Sequence, residues 1–201
     1  MKVLLINGSP HEKGCTYTAL SLIAGELKAQ GIETEILHVG GQPVGGCIRS
    51  GNGCVFGGVV NEAIEKAKTA DAFVFGSPVH YASAAGNMAS FMDRLAYAGG
   101  KYLAYKPAAI CCSARRAGTT STLDQLVKYP QFFHMPLVNG SYWAMVHGSN
   151  PEQVLQDAEG CAVMQELGRN MAWLLRCIEA GKAAGIDHPQ NPPRPMTNFI
   201  R

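Results

Sequence analysis

The chain has 201 residues, 47% of them hydrophobic and 16% charged, enough apolar material for the core of one globular domain spanning residues 1–201. A formal charge of +2 lacks the clustered basic signature of a nucleic-acid binder, and no apolar run reaches membrane-spanning length. Seven cysteines, an odd number in a chain that opens on a strand instead of a secretion signal, imply reduced thiols and a cytoplasmic location.

In chain order, residues 2–6 read as a buried strand that stops at Asn7-Gly8-Ser9-Pro10, and a helix pattern resumes at Thr16. Such a strand–loop–helix junction aims unpaired backbone N–H groups and a positive helix end at one spot, which suits a phosphate. The loop has neither a G-x-G-x-x-G dinucleotide fingerprint nor a G-x-x-x-x-G-K-[ST] triphosphate loop, so its hydroxyl-rich sequence fits one terminal phosphate. Residues 16–30 carry Ala19, Leu20, Ile23, Ala24 and Leu27 on one helical face, and Gly31 stops the helix. A second strand is expected over 33–39 and a helix over 59–69. Residues 72–75 form a short, wholly apolar strand of the kind buried on both faces, followed by a loop from Gly76. Further elements are a helix over 87–97, a fourth strand over 107–112, a helix over 121–129, and a fifth strand from Leu137-Val138 and residues 142–146. A last long helix is expected over 151–180, its Met, Leu and Trp173 content serving core or subunit contact.

Alternating strands and helices require a mostly parallel sheet covered on both faces. Ligands in such folds sit beyond the carboxyl ends of the strands, which selects the loops over residues 8–16, 76–86 and 113–120. All three are rich in Gly, Ala, Ser and Thr.

The opening MKVLLINGSPHEKGCTYTAL and the segment ADAFVFGSPVHYASAAGNMASFMDRL resemble the NADPH-dependent FMN reductase family. Gly-Ser-Pro recurs at both strand ends, as Gly8-Ser9-Pro10 and Gly76-Ser77-Pro78, and a weaker likeness extends through LGRNMAWLLR. The resemblance implies a flavodoxin-like three-layer sandwich, an α/β fold with a five-stranded parallel sheet, and FMN as cofactor. It places Ser9, Thr16 and backbone groups around Gly14 and Cys15 at the FMN phosphate, with His11 close by. Many members have Asn where this chain has Cys15, which reads as a small packed residue and not a redox thiol. In the second loop, Pro78, Val79, His80, Tyr81, Ala82 and Ser83 run along the flavin ring edge by resemblance. His80 departs from the aromatic residue expected there; it and Tyr81 either face the flavin or form an ordinary exposed turn. Asp93-Arg94 reads as a helix-surface pair near this loop. In the third loop Ser113 is followed by Arg115 and Arg116, which depart from the family's glycine-rich version. These arginines either meet flavin or a cofactor phosphate, or project into solvent.

Residues 40–58 hold eight glycines around Cys47 and Cys54, where a related family of iron–sulfur flavoproteins clusters four cysteines. Two thiols do not complete a four-cysteine site, so a degenerated cluster loop is expected; a redox-active or subunit-bridging pair is the alternative. No nucleophile elbow, H-E-x-x-H or paired carboxylates mark a strand end, so no catalytic side chain is assigned and flavin carries the chemistry. The expected activity is an FMN-dependent oxidoreductase taking hydride from NADPH or NADH and reducing a flavin, quinone or other small-molecule acceptor, as a homodimer or homotetramer. The alternatives are a flavodoxin-type electron carrier, against which the charge of +2 counts, and a non-enzymatic flavin-binding or regulatory protein.

Overall fold

The computed structural model describes residues 1–49, 54–193, 195–197 and 199. Its elements are β1 (Lys2–Asn7), α1 (Cys15–Ala29), β2 (Glu33–His38), α2 (Val59–Thr69), β3 (Ala72–His80), β4 (Ser83–Ala84), α3 (Gly86–Gly99), β5 (Ala108–Ala114), α4 (Thr119–Phe132), β6 (Met145–His147), α5 (Pro151–Val154) and α6 (Ala158–Ala183). Five strands pair in parallel in the order β2-β1-β3-β5-β6, and β4 pairs with the end of β3 in antiparallel fashion.

The apolar periodicities divide the helices between the two faces of this sheet. Leu20, Ile23 and Leu27 of α1 and Met164, Leu167 and Met171 of α6 pack with Val3, Leu5 and Val74 on one face. Val60 and Ala63 of α2, Met88 and Phe91 of α3, and Leu126 of α4 pack with Leu4, Ile6, Phe73 and Phe75 on the other. Every residue of β5 and the first six of β3 are buried, as strands covered on both faces must be. At the outer strand β2, Glu35 pairs with both Lys2 (2.8 Å) and Lys66 (2.6 Å), and these hydrogen bonds hold its carboxyl below the usual carboxylate range. Charge on an edge strand discourages pairing with another sheet.

Several boundaries differ from the sequence expectation for identifiable reasons. β3 does not stop before Gly76; it continues to His80 because Val79 and His80 pair with Ala84 and Ser83 in a hairpin. Tyr81 and Ala82, at φ +51° and +57°, form its two-residue turn, which requires the left-handed region at both positions. β5 runs on through Ser113 and Ala114. The expected last helix is two helices, because Asn150 caps Gln153 N–H at 2.9 Å and Asp157 caps Gly160 N–H at 3.0 Å, so a new helix begins at 158. The expected fifth strand is reduced to Met145–His147, with Leu137 left as a single bridge to Ala108.

Arg94 is not the surface partner of Asp93. It is 5% exposed, and its Nε and Nη2 donate to Cys54 Sγ at 3.1 and 2.9 Å while Nη2 also donates to the Gly57 carbonyl at 3.1 Å. Asp93 instead accepts from the Tyr129 hydroxyl at 2.5 Å.

Candidate functional site

The sheet order reverses between β1 and β3: the chain leaves β1 for β2 on one side and returns to β3 on the other. The loops leaving these strands therefore diverge and open a crevice at their carboxyl ends. Asn7, fully buried at the end of β1, shapes the first loop: its Nδ2 donates to the Glu12 carbonyl at 2.9 Å and its Oδ1 accepts from Ser9 N–H at 3.1 Å. Ser9 Oγ in turn accepts from His11 N–H at 3.1 Å, and Gly14 N–H closes a turn onto the His11 carbonyl at 3.4 Å. His38 Nε2 donates to the Ser9 carbonyl at 2.8 Å, and a Cβ on Gly40 would collide with that same carbonyl, so the next loop clamps this one.

The result is an open helix end. Gly14 occupies the N-cap of α1 with no capping side chain, and no acidic residue lies in the first turn. The first helical hydrogen bond is from Thr18 N–H to the Gly14 carbonyl, which leaves the Cys15, Thr16 and Tyr17 N–H groups without partners among the described residues. Three free donors at the positive end of a 15-residue helix, beside Ser9 and His11, fit a phosphate dianion. Cys15 adds little as a thiolate, since burial pushes its thiol up and its Sγ contacts the Gly148 carbonyl at 3.5 Å.

The three loops are tied into one rim. Thr16 Oγ1 and Ser113 Oγ lie 2.8 Å apart and are 1% and 3% exposed, so the Thr16 hydroxyl is engaged with the end of β5 while its N–H stays free. Gly8 N–H donates to the Gly76 carbonyl at 2.9 Å, joining the first loop to β3. The β3–β4 hairpin is fastened to α4: Gln125 Oε1 accepts from Ser83 Oγ (2.6 Å) and Ala84 N–H (2.8 Å), and Ser121 Oγ donates to the Ala82 carbonyl at 2.7 Å. Gly118, at φ +91°, lets α4 start against the hairpin, where a Cβ would meet Ala82 Cα at 2.7 Å. Pro78, Val79 and Ser83 are half-buried, whereas His80, Tyr81 and Ala82 project from the hairpin tip. Arg115 and Arg116 are exposed just past β5 and bind no other described residue.

Asn7, Gln125 and Asn87 were not singled out from sequence. Asn87 Nδ2 donates to the Gly40 and Gln42 carbonyls at 3.2 and 3.1 Å and holds the loop that clamps Ser9. The one signal available was Asn7, a polar residue ending an apolar strand; Gln125 and Asn87 act across more than 40 residues and leave no local pattern. Among the described residues, no group of three or more His, Cys, Asp or Glu side chains is arranged to hold a metal ion. Among them, too, no helix is long and apolar enough to cross a membrane.

An iron–sulfur flavoprotein of Methanocaldococcus jannaschii is 26% identical over 192 residues, 89% of this chain and all of that protein. Among solved structures, RosB with a bound 8-demethyl-8-formylriboflavin-5'-phosphate intermediate superposes with a TM-score of 0.72 at 14% identity, over all of this chain and 96% of that one. An apo NADH:FMN oxidoreductase gives a TM-score of 0.63 at 20% identity, over 88% of each chain. These likenesses establish the flavodoxin-like fold. The family profile of NADPH-dependent FMN reductases matches residues 1–150, which contain all three loops of the crevice, and the chain belongs to that family.

Proposed function

We propose that the protein is an FMN-dependent oxidoreductase that takes hydride from NADPH or NADH and passes the electrons to a flavin, quinone or other small acceptor. The observation carrying this reading is the uncapped start of α1, whose three free N–H groups sit beside Ser9 in the crevice of a chain from this family. FMN supplies the hydride and electron chemistry when bound. The chain's own residues then bind and orient. The α1 N-terminus and Ser9 hold the phosphate, the Gln125-fastened hairpin sets the ring edge at residues 78–83, and the exposed Tyr81 and His80 border the face a second substrate approaches. The RosB neighbour, which carries a phosphorylated riboflavin derivative, supports a ligand of this type in the same fold. Anaerobic mixing of the FMN-loaded protein with each nicotinamide should bleach the flavin absorbance. A colourless protein that takes up no FMN would reject the reading in favour of a non-enzymatic role.

Arg115 and Arg116 are assigned to the flavin and the nicotinamide cofactor respectively. Both are exposed cations at the end of β5 without a partner among the described residues. A fixed positive charge beside flavin favours its more negative reduced form, so Arg115→Ala should lower the flavin midpoint potential and slow both nicotinamides alike. Arg116→Ala should instead raise KM for NADPH much more than for NADH and leave the potential unchanged. Single variants that match the parent in potential, both KM values and kcat would make these arginines solvent residues.

The relatives' name raises the question of an iron–sulfur cluster. Residues 40–58 contain two cysteines, Cys47 and Cys54, and Cys54 Sγ already accepts two hydrogen bonds from Arg94. Two thiols fall short of the four a cluster takes within one chain. Anaerobically purified protein should therefore lack stoichiometric iron and acid-labile sulfide, and Cys47→Ser should turn over as the parent does; iron bound in proportion to protein would overturn this.

The assembly is proposed to be a homodimer or homotetramer, supported by Trp173, which is 66% exposed on α6. Light scattering of active, flavin-loaded protein should give a multiple of 21.4 kDa, and a monomer mass would remove the claim.

A further inference from the structure

Away from the crevice, the edge of β5 is interrupted. Leu137 bridges Ala108 and Met145 pairs with Cys112, so β5 advances from 108 to 112 while the neighbouring segment advances from 137 to 145. Residues 139–143, which carry this surplus, swing out of the sheet. Hydrogen-bonding groups alternate sides along a strand. On this edge Ala108 N–H donates to Pro136 and its carbonyl accepts from Val138 N–H, both at 2.9 Å, and Cys112 N–H donates to Ala144 at 3.0 Å. Ile110, between them on the same side, has its N–H and C=O without a partner among the described residues.

That orphaned pair borders a cleft of about 430 Å³ between α4 and the excursion, lined by Ile110, Leu123, Asp124, Val127, Tyr142 and Trp143 among others. The excursion is fixed by α6: Ser141 N–H donates to Glu166 Oε2 at 2.6 Å, and Asn170 Nδ2 donates to the Asn139 carbonyl at 2.8 Å. Tyr142 and Trp143, 52% and 59% exposed, stand edge-to-face with ring centroids 4.7 Å apart.

We infer that this cleft is a binding site for a small planar aromatic carboxamide or lactam, read by the N–H and C=O of Ile110. An extended residue presents one donor and one acceptor side by side, and the cis C=O and N–H of an amide edge answer both. A carboxylate offers only acceptors and leaves the Ile110 carbonyl opposed by negative charge, while a plain arene satisfies neither group. The aromatic requirement comes from the Tyr142–Trp143 pair and the apolar floor of Leu123 and Val127. The volume falls in the range of small-ligand pockets.

Benzamide is the probe, titrated into ¹⁵N-labelled, FMN-loaded full-length protein, with benzoate and N,N-dimethylbenzamide as controls of similar size. Benzamide should shift the Ile110 amide and the Trp143 indole resonances saturably, and each control should bind at least about tenfold more weakly, the factor one well-made hydrogen bond provides. Trp143→Ala, at an exposed position that leaves the core intact, should weaken benzamide about fivefold. The inference is overturned by no saturable shift at Ile110, by equal affinities for the three probes, or by shifts confined to residues 8–16 and 77–84, which would place benzamide in the flavin crevice.

Discussion

Arg94→Ala is expected to destabilise the protein by about 3 kcal/mol, the scale for deleting one member of a buried charged network. Arg94 is 5% exposed, and no carboxylate is among its partners in the described residues: its fork is spent on Cys54 Sγ and the Gly57 carbonyl, with the Phe56 ring 5.1 Å from the guanidinium carbon. Removing it strands that carbonyl and releases the 54–57 segment from α3. Cys54→Ala should cost less, about 1–3 kcal/mol, because the guanidinium keeps the Gly57 bond but loses both sulfur contacts. The double variant should cost clearly less than the sum, since the two side chains act on one another. Urea unfolding of the four proteins measures the coupling. An Arg94→Ala midpoint within about 0.5 kcal/mol of the parent, the usual range for surface substitutions, would mean that the arginine is solvated and not part of the core.

The placement of Arg94 also shows where sequence patterns stop being informative. Periodicity identified α3 and put Met88, Phe91 and Leu95 on its buried face, and all three are there. A charged residue at 94 then reads as solvent-facing. What overrides this is a sulfur and a carbonyl from a glycine-rich loop some 40 residues earlier, and such pairing has no periodic trace. The β3–β4 hairpin was hidden for a similar reason. Its turn is Tyr81-Ala82, with none of the Asn-Gly or Gly-Gly chemistry that marks a two-residue hairpin, and the left-handed backbone there is held by Ser121 and Gln125 of α4. The fifth strand was overextended because residues 142–146 are apolar and aromatic, as strands are, whereas Tyr142 and Trp143 line a cleft. Elements whose signal is local, such as β1, α1, β2 and α2, appear within one or two residues of their expected bounds. The crevice belongs to both classes. Its three loops were legible as strand ends, and the side chains that brace them, Asn7, Asn87 and Gln125, were not.

The phosphate cradle carries the remaining large effect: Ser9→Ala with Thr16→Ala should weaken FMN binding by about 2–5 kcal/mol, the loss of one charge-assisted donor to a dianion together with the untying of the first loop from β5. The two hydroxyls are not equivalent. Ser9 Oγ accepts from His11 N–H, which leaves its own hydrogen free to point at the anion and makes it the direct donor. Both residues are buried, but Thr16 Oγ1 is 2.8 Å from Ser113 Oγ, so its removal acts by untying the first loop from β5 while the Thr16 N–H remains. Ser9→Ala alone should therefore account for most of the loss, and Thr16→Ala should show as a smaller loss accompanied by faster amide exchange at Ser113. Riboflavin supplies the control, because it has the ring system without the phosphate. Parent and double variant should bind riboflavin within about threefold of each other, a difference of under 1 kcal/mol, so that the deficit belongs to the phosphate and not to a collapsed crevice. Unchanged FMN affinity would move the phosphate away from the α1 N-terminus, and an equal loss for riboflavin would make both hydroxyls supports of the loop instead of ligands to the anion.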